Sequence, residues 1–301
     1  MCHDTSMFRF STGASVFRTC FRFLRSLPHA LVVYITSHSL RYFAGFFTVV
    51  VAIFALSLPS AYVVEEPGPT QDVLGSLSNT PVIDMSGSRV KENHDTGKLL
   101  LITVNVSGVP GYEISTFYSL TSWMDPHKSL LPREAIVPVG QSADEYEKES
   151  TNEMDDSQSL AQNVALQYAS KHLGIKKEDV KVRLHIEDIG GPSAGMMYTL
   201  GILDKLTPEQ ETGGKTIAGT GTIEKSQKIG EIGGIRLKMI AAKRDGATWF
   251  LAPYDNCNEV VGHVPQGLRV VSVKTLDDAY RALKAIGSGH GANKLPSCNV
   301  K

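Results

Sequence analysis

The sequence predicts an α+β domain that is preceded by one transmembrane helix. After residue 95, segments with the apolar alternation of strands and segments with the apolar spacing of helices follow one another without repeats. Residues 42–64 form a run without a charged side chain, long enough to cross a bilayer. Of the 301 residues, 42% are hydrophobic, so the chain can bury a core of its own.

The N-terminal part carries the signals of a membrane anchor. Residues 1–41 form a basic segment with five arginines against one aspartate, whereas acidic residues follow the apolar run. As a helix, residues 42–64 would be about 34 Å long, against a hydrocarbon core of about 30 Å. The positive-inside rule then places the N-terminus in the cytoplasm and the body of the chain outside the cell membrane, with a single span. A cleaved signal peptide is the competing interpretation, because residues 57–61 resemble a cleavage region, but the basic segment is long for one.

The charge and the cysteine content of the chain bear on its binding partners and on its redox compartment. The net charge of the chain is −1 although its N-terminal part is basic, so the body is mildly acidic and no nucleic-acid partner is predicted. Cys2 and Cys20 precede the apolar run, whereas Cys257 and Cys298 follow it and would share an oxidising compartment. Two cysteines do not make a disulfide framework, so pairing and free thiols both remain open.

The body is predicted to consist of a linker, one domain and a tail. Turn-rich residues 65–95 predict a juxtamembrane linker, residues 96–287 a folded domain, and residues 288–301 a disordered tail. The polar and acidic residues 141–157 indicate a solvated helical face or a connection. Within the domain we predict strands at 99–106, 181–186, 216–223, 247–252 and 268–273, and helices at 157–173, 196–206, 235–244, 256–261 and 276–286.

A serine stands at a predicted junction between a strand and a helix. Residues 190–195 read Gly-Gly-Pro-Ser-Ala-Gly and lead into the apolar helix at 196–206. A hydroxyl at a helix start lies among unpaired amide donors, which favour negative charge on a neighbouring oxygen. Alone, Ser193 would be read as a residue that opens a helix.

Lys238 is the residue that makes a catalytic interpretation attractive. Its neighbours three and four positions away on the predicted helix are Ile235, Ala241 and Ala242, so the lysine projects from an apolar side. Burial would disfavour the ammonium form and lower the pKa of Lys238 from about 10.4. A snorkelling or salt-bridged lysine is the alternative. A neutral lysine is a base that can accept the proton of a serine hydroxyl, so Ser193 and Lys238 predict a serine/lysine dyad that needs no metal or cofactor.

Three separated motifs resemble the proteolytic domain of the Lon protease family. They are Gly191-Pro192-Ser193-Ala194-Gly195, Gly219-Thr220-Gly221, and the run from Ile232 to Lys238 followed by Ala241-Ala242, in family order and at near-family spacing. The resemblance covers nearly all of residues 96–287. It implies a serine endopeptidase with Ser193 as nucleophile, Lys238 as general base and Thr220 as a hydrogen-bond partner near the lysine. It also implies an oxyanion hole from backbone around Gly191, Pro192 and Ala194, and, by analogy, a homo-oligomeric ring of six copies.

Within that family the sequence is most similar to membrane-anchored, ATP-independent Lon-like proteases of Gram-positive bacteria, which share the Glu-x-Pro-Gly-Pro-Thr exit at residues 65–70. Those relatives carry a PDZ domain where only a short turn fits here, between residues 168 and 181. Lon proteases usually have an acid three residues before the serine, where this chain has Gly190; Glu187 and Asp188 are candidate substrate contacts nearby.

The implied substrates are unfolded or membrane-proximal protein segments, cleaved without ATP. Gly214-Lys215-Thr216 is not a phosphate-binding loop, because Glu209 stands where its first glycine would fall. Two alternatives remain: a catalytically silent, anchored peptide-binding scaffold, and a sensor that cleaves only itself.

Overall fold

The computed structural model describes residues 33, 37–87, 96–185 and 191–299. The chain separates into two units, Met1–Leu58 and Pro59–Lys301.

Among the described residues of the first unit, the apolar helix α1 spans Leu40–Ser57. Its length and composition suffice for a membrane span, and none of its residues is buried within the protein. The helix is shorter than the predicted 42–64 because Leu58 precedes Pro59 and adopts extended backbone. The rest of the uncharged run enters a strand of the second unit, where Val63 and Val64 are buried.

The second unit is built on a six-stranded sheet in the order β12-β11-β8-β5-β1-β6. Its strands are β1 (Tyr62–Asp72), β5 (Lys98–Ser107), β6 (Ser129–Pro132), β8 (Thr216–Gly219), β11 (Trp249–Pro253) and β12 (Arg269–Val273). The strands β5, β8, β11 and β12 run parallel, whereas β1 pairs antiparallel with β5, and β6 pairs antiparallel with β1. Three two-stranded ladders complete the strands: β2 (Ser76–Leu77) with β3 (Thr80–Pro81), β4 (Ile83–Ser86) with β7 (Lys181–Leu184), and β9 (Thr222–Ile223) with β10 (Ile229–Gly230).

Helices cover both faces of the sheet. They are α2 (Thr116–Trp123), α3 (Ala143–His172), α4 (Gly195–Leu206), α5 (Ile235–Arg244), α6 (Cys257–Val260) and α7 (Leu276–Ser288). Along β5, Leu99 and Leu101 face a core shared with α3, α4 and α7, whereas Leu100 and Ile102 face a second core with α5 and α6. The predicted α+β fold is therefore confirmed, with helices on both sides of a mixed sheet.

The predicted linker at 65–95 is wrong over its first part. Residues 65–72 belong to β1, which lies between β5 and β6 and pairs with both. Pro67 and the residues up to Thr70 lie where the register shifts, so the prolines fall at a bulge rather than in the regular ladder. The folded unit therefore begins before residue 96.

The predicted disordered tail is also wrong over its described part. The chain beyond α7 forms a short 3-10 helix at Ala292–Lys294, and Pro296 O accepts a hydrogen bond of 2.9 Å from Ser272 N. Cys298 forms a disulfide with Cys257, which settles the pairing that the sequence left open. These contacts hold the segment against β12 and α6.

Two further elements differ from prediction in their bounds. The acidic residues 143–156 form the first half of the 30-residue helix α3, which opens with a capping box between Ser142 and Glu145. The predicted strand 216–223 is interrupted between β8 and β9, because Gly221 N turns to donate to Ser193 O at 2.8 Å.

Candidate active site

Ser193 lies in a single 3-10 turn, Pro192–Ala194, directly before α4. Gly191 precedes the turn with a φ of 85°, a conformation that favours glycine. The carbonyl of Ser193 accepts hydrogen bonds from Gly221 N at 2.8 Å and from Thr220 Oγ1 at 3.1 Å. These bonds fix the backbone of the serine, so the position of its hydroxyl depends only on the side-chain rotamer.

Lys238 reaches this serine from α5, on the opposite face of the sheet from the core that α4 enters. Its side chain is only 2% exposed, and its Nζ lies 2.7 Å from Ser193 Oγ and 3.3 Å from Thr220 Oγ1. Helix α5 has the predicted bounds and begins after Gly234, which has a φ of 68°. The structure therefore brings together Ser193, Thr220 and Lys238, the first and last of which are 45 positions apart in the sequence.

Burial changes the proton affinity of this lysine. Loss of solvation lowers the pKa of Lys238 from 10.5 to about 8, and the carboxylate of Glu65 opposes that shift. A lysine with this pKa is partly neutral near pH 8 and can then accept the proton that Ser193 Oγ donates. Thr220 Oγ1 donates to the serine carbonyl, so its lone pairs are directed to Nζ and orient the lysine.

Glu65 is a site residue that sequence reasoning assigned to a linker. Its side chain is 8% exposed and comes from β1, next to the start of α5: a side-chain carbon on Gly234 would lie 3.6 Å from Glu65 Oε2. Burial raises the pKa of Glu65, and the nearby charge of Lys238 lowers it. The sequence could have indicated this position, because an acidic residue after an apolar, β-branched run is as typical of a strand as of the end of a membrane-spanning helix.

Two more polar residues hold the backbone around the dyad. Ser157 Oγ of α3 donates to Pro192 O at 3.1 Å and anchors the serine turn. The Asn256 side chain accepts from Ile232 N at 3.0 Å and donates to Ile232 O at 2.9 Å, which fixes the loop that leads into α5. Neither residue has a sequence signal that distinguishes it from an ordinary helix cap or turn residue.

A groove of about 220 Å³ opens beside the serine turn. Its wall on α3 carries Glu153, Asp156, Ser157 and Leu160, and its other wall carries Pro192, Thr222 and Ile223. The two acidic side chains of the groove, Glu153 and Asp156, are exposed, whereas Ile223 is buried, and Pro192 connects the groove directly to Ser193.

The remaining predicted site residues divide into two groups. Ala194 is buried in the serine turn, and Gly191 and Pro192 precede the serine as expected, although proline has no N–H and so cannot be an oxyanion donor. Glu187 and Asp188 lie outside the described residues. Over residues 37–87, 96–185 and 191–299, no group of three metal-ligating side chains converges.

A hydroxyl at a helix start, in contact with a buried lysine of lowered pKa, defines the serine peptidase class that uses lysine as its base. Sequence comparison gives the family. The family profile of the Lon protease (S16) C-terminal proteolytic domain matches residues 131–285, and the chain belongs to this family. The predicted family and the predicted class, a serine peptidase, are thereby confirmed.

Individual relatives agree with this membership. The chain is 29% identical over 170 residues to the Lon protease of Buchnera aphidicola subsp. Schizaphis graminum, a match that covers 53% of this chain and 22% of that protein. It is 31% identical over 139 residues to the mitochondrial Lon protease homolog of Candida glabrata, covering 43% of this chain and 13% of that protein. It is 30% identical over 141 residues to Lon protease 2 of Herpetosiphon aurantiacus, covering 42% of this chain and 17% of that protein. The chain thus spans about a fifth or less of the length of these relatives.

Proposed function

We propose that the chain is a membrane-anchored, ATP-independent endopeptidase in which Ser193 is the nucleophile and Lys238 the general base. The observation that carries this proposal is the 2.7 Å contact between Lys238 Nζ and Ser193 Oγ, made by a lysine whose pKa burial lowers to about 8. A structural lysine would be expected to pair with a carboxylate at hydrogen-bond distance, whereas both described partners of this Nζ are hydroxyls.

The reaction follows from this geometry. Neutral Lys238 Nζ accepts the proton of Ser193 while Oγ attacks the carbonyl carbon of the scissile peptide bond. The negative charge that develops on the carbonyl oxygen is stabilised by backbone amides at the start of α4, for which we propose those of Ser193 and Ala194. The Lys238 ammonium then returns its proton to the leaving amine, the C–N bond breaks, and water later releases the acyl group from Ser193 by the same base.

Location outside the cytoplasm is supported by three features. Helix α1 is apolar and long enough to span a bilayer; four of the five arginines of residues 1–41 precede it, and the fifth, Arg41, lies in its first turn. The disulfide between Cys257 and Cys298 lies in the second unit, and such bonds persist in oxidising compartments. We therefore propose that the peptidase unit faces the extracytoplasmic side.

The substrates we propose are unstructured segments of exported or membrane proteins. The sequence contains no phosphate-binding loop that would couple cleavage to ATP, and the groove beside Ser193 is open to an extended chain. Cleavage without ATP would favour such segments, because a folded substrate holds its peptide bonds away from the serine.

Cleavage of casein by the purified chain in detergent, without nucleotide, tests this function. Ser193→Ala and Lys238→Gln should each abolish cleavage, whereas Lys243→Gln, an exposed lysine on the same helix, should leave it intact. Undiminished cleavage by Ser193→Ala or Lys238→Gln would refute the dyad. No cleavage by the unmodified chain would favour the scaffold alternative.

A further inference from the structure

Helix α2 has its apolar side chains on the side that faces away from the protein. Ser119 and Ser122 point into the second unit and are buried. Phe117, Leu120 and Trp123 are 58%, 49% and 74% exposed, and Met124, directly after the helix, is 81% exposed. This is the reverse of an ordinary surface helix, in which the apolar face packs on the core.

These exposed side chains form one surface. Phe117, Leu120 and Met124 are spaced three and four residues apart, so they lie on one side of the helix, with Trp123 beside them. We call these four residues the α2 apolar face. No charged residue occurs between Thr116 and Met124. A contiguous patch of large apolar side chains on a soluble surface indicates a binding partner.

The position of α2 in the chain indicates which partner. Pro59 bridges to Ser115, Ser60 N donates to Ile114 O at 2.8 Å, and Ser119 Oγ donates to Ser60 Oγ at 2.6 Å. Helix α1 ends at Ser57, two residues before Pro59, and two residues span at most roughly 7 Å. The start of α2 is therefore held against Pro59 and Ser60, the first residues of the second unit, which directly follow Leu58 in the chain.

We propose that the α2 apolar face inserts into the interfacial layer of the lipid bilayer beside the exit of α1. Tryptophan is typical of membrane interfaces, where its ring meets lipid and its indole N–H meets water, and phenylalanine and leucine commonly face the lipid beside it. Short helices with a large apolar face lie in this layer rather than across the bilayer. Insertion would give the peptidase unit a second attachment and hold Ser193 at a fixed height above the membrane. The inference rests on the proposed membrane anchor.

Fluorescence quenching by brominated lipid tests this attachment in the full chain reconstituted into vesicles. The chain has two tryptophans, and the second, Trp249, is buried under Arg269. In a Trp249→Phe background, emission from Trp123 should shift to the blue on reconstitution and be strongly quenched by phosphatidylcholine brominated on its acyl chains. The Trp123→Phe chain, which reports Trp249 alone, should show no quenching.

Variants of the face supply the control. Phe117→Ser with Leu120→Ser should largely remove the quenching of Trp123, whereas Val264→Ser, at an exposed valine in the loop before β12, should preserve it. Emission that brominated lipid does not quench would overturn the inference. If brominated lipid did not quench Trp123 and Trp123 were nevertheless shielded from the aqueous quencher acrylamide, the α2 apolar face would be covered by a second copy of the chain.

Extraction with alkaline carbonate separates this inference from the proposed anchor. A chain that resists extraction but shows no quenching of Trp123 contradicts the inference alone. A chain that carbonate releases from the vesicles contradicts both.

Discussion

Replacing Glu65 by glutamine should shift the pH–activity curve of the peptidase to lower pH. The carboxylate of Glu65 is buried beside the start of α5, and its charge raises the pKa of Lys238 against the larger opposing effect of burial. Glutamine keeps the size of the side chain but removes the charge. The pKa of Lys238 should therefore fall further.

The magnitude follows from the neutral fraction of the lysine. With a pKa of about 8, about a tenth of Lys238 is neutral at pH 7, whereas the ordinary value of 10.5 would leave only about one molecule in three thousand neutral. A single charge in partly buried surroundings changes a pKa by on the order of one unit. The rising limb of the Glu65→Gln profile should therefore lie roughly one pH unit below that of the unmodified chain.

The assay is the initial rate of cleavage of a fluorogenic disordered peptide between pH 6 and 10, fitted for the rising limb of kcat/KM. Glu66→Gln is the matched control, because the neighbouring Glu66 forms its ion pair with Lys128 at 3.0 Å instead. An unmoved limb in Glu65→Gln, or an equal shift in Glu66→Gln, would refute the electrostatic role assigned to Glu65.

Three other perturbations have definite expected results. Lys238→Met should abolish cleavage yet raise stability by about 3 kcal/mol at pH 7, since it removes an ammonium whose pKa falls from 10.5 to about 8 on folding. Between pH 8 and 10.5 the unfolded state of the unmodified chain holds a proton on Lys238 that the folded state has lost. The stability gain of Lys238→Met, measured by thermal melting, should therefore disappear as pH rises from 8 to 10.5. Cys257→Ser should cost about 4 kcal/mol, the loop-closure value for a separation of 41 residues. Leu160→Trp should fill the groove and raise KM more than it lowers kcat, while Ser159→Trp, on the exposed side of α3, should change neither.

The centre of the site follows from the sequence because local rules and tertiary packing agree there. The apolar neighbours of Lys238 at helical spacing predict that it is buried, and α5 has the bounds that Gly234 and the charged last turn indicate. Ser193 is predicted at a helix start by the glycine and proline before it. The contact between the two side chains, 2.7 Å in the structure, could be predicted only from the resemblance of three motifs to a known family, because no local rule relates residues 45 positions apart.

The residues around β1 could not be predicted in the same way. A buried strand and the last turn of a membrane helix are both uncharged and rich in valine, so composition alone does not divide residues 58–64 between them. Pro67 and Pro69 argue against a central strand, but the bulge between Pro67 and Thr70 accommodates them. Assigning the segment to a linker concealed Glu65.

The C-terminal segment shows a different limit. Residues 289–299 are rich in glycine and polar side chains and have no helical or strand period, which favours disorder by local rules. They are held by contacts distant in sequence, namely the bond of Ser272 to Pro296 and the disulfide to Cys257. Such contacts are not visible until the fold places β12 and α6 beside them.

The most direct test of the Ser193/Lys238 dyad is the mass of the intact chain after treatment with a fluorophosphonate, which forms a covalent bond with an activated serine. We expect one adduct, located on Ser193 by peptide mapping, with a labelling rate that rises with pH through about 8 as Lys238 loses its proton. Lys238→Met should remain unlabelled although it folds. Labelling on another serine, or equal labelling of Ser193 in the Lys238→Met chain, would contradict the dyad.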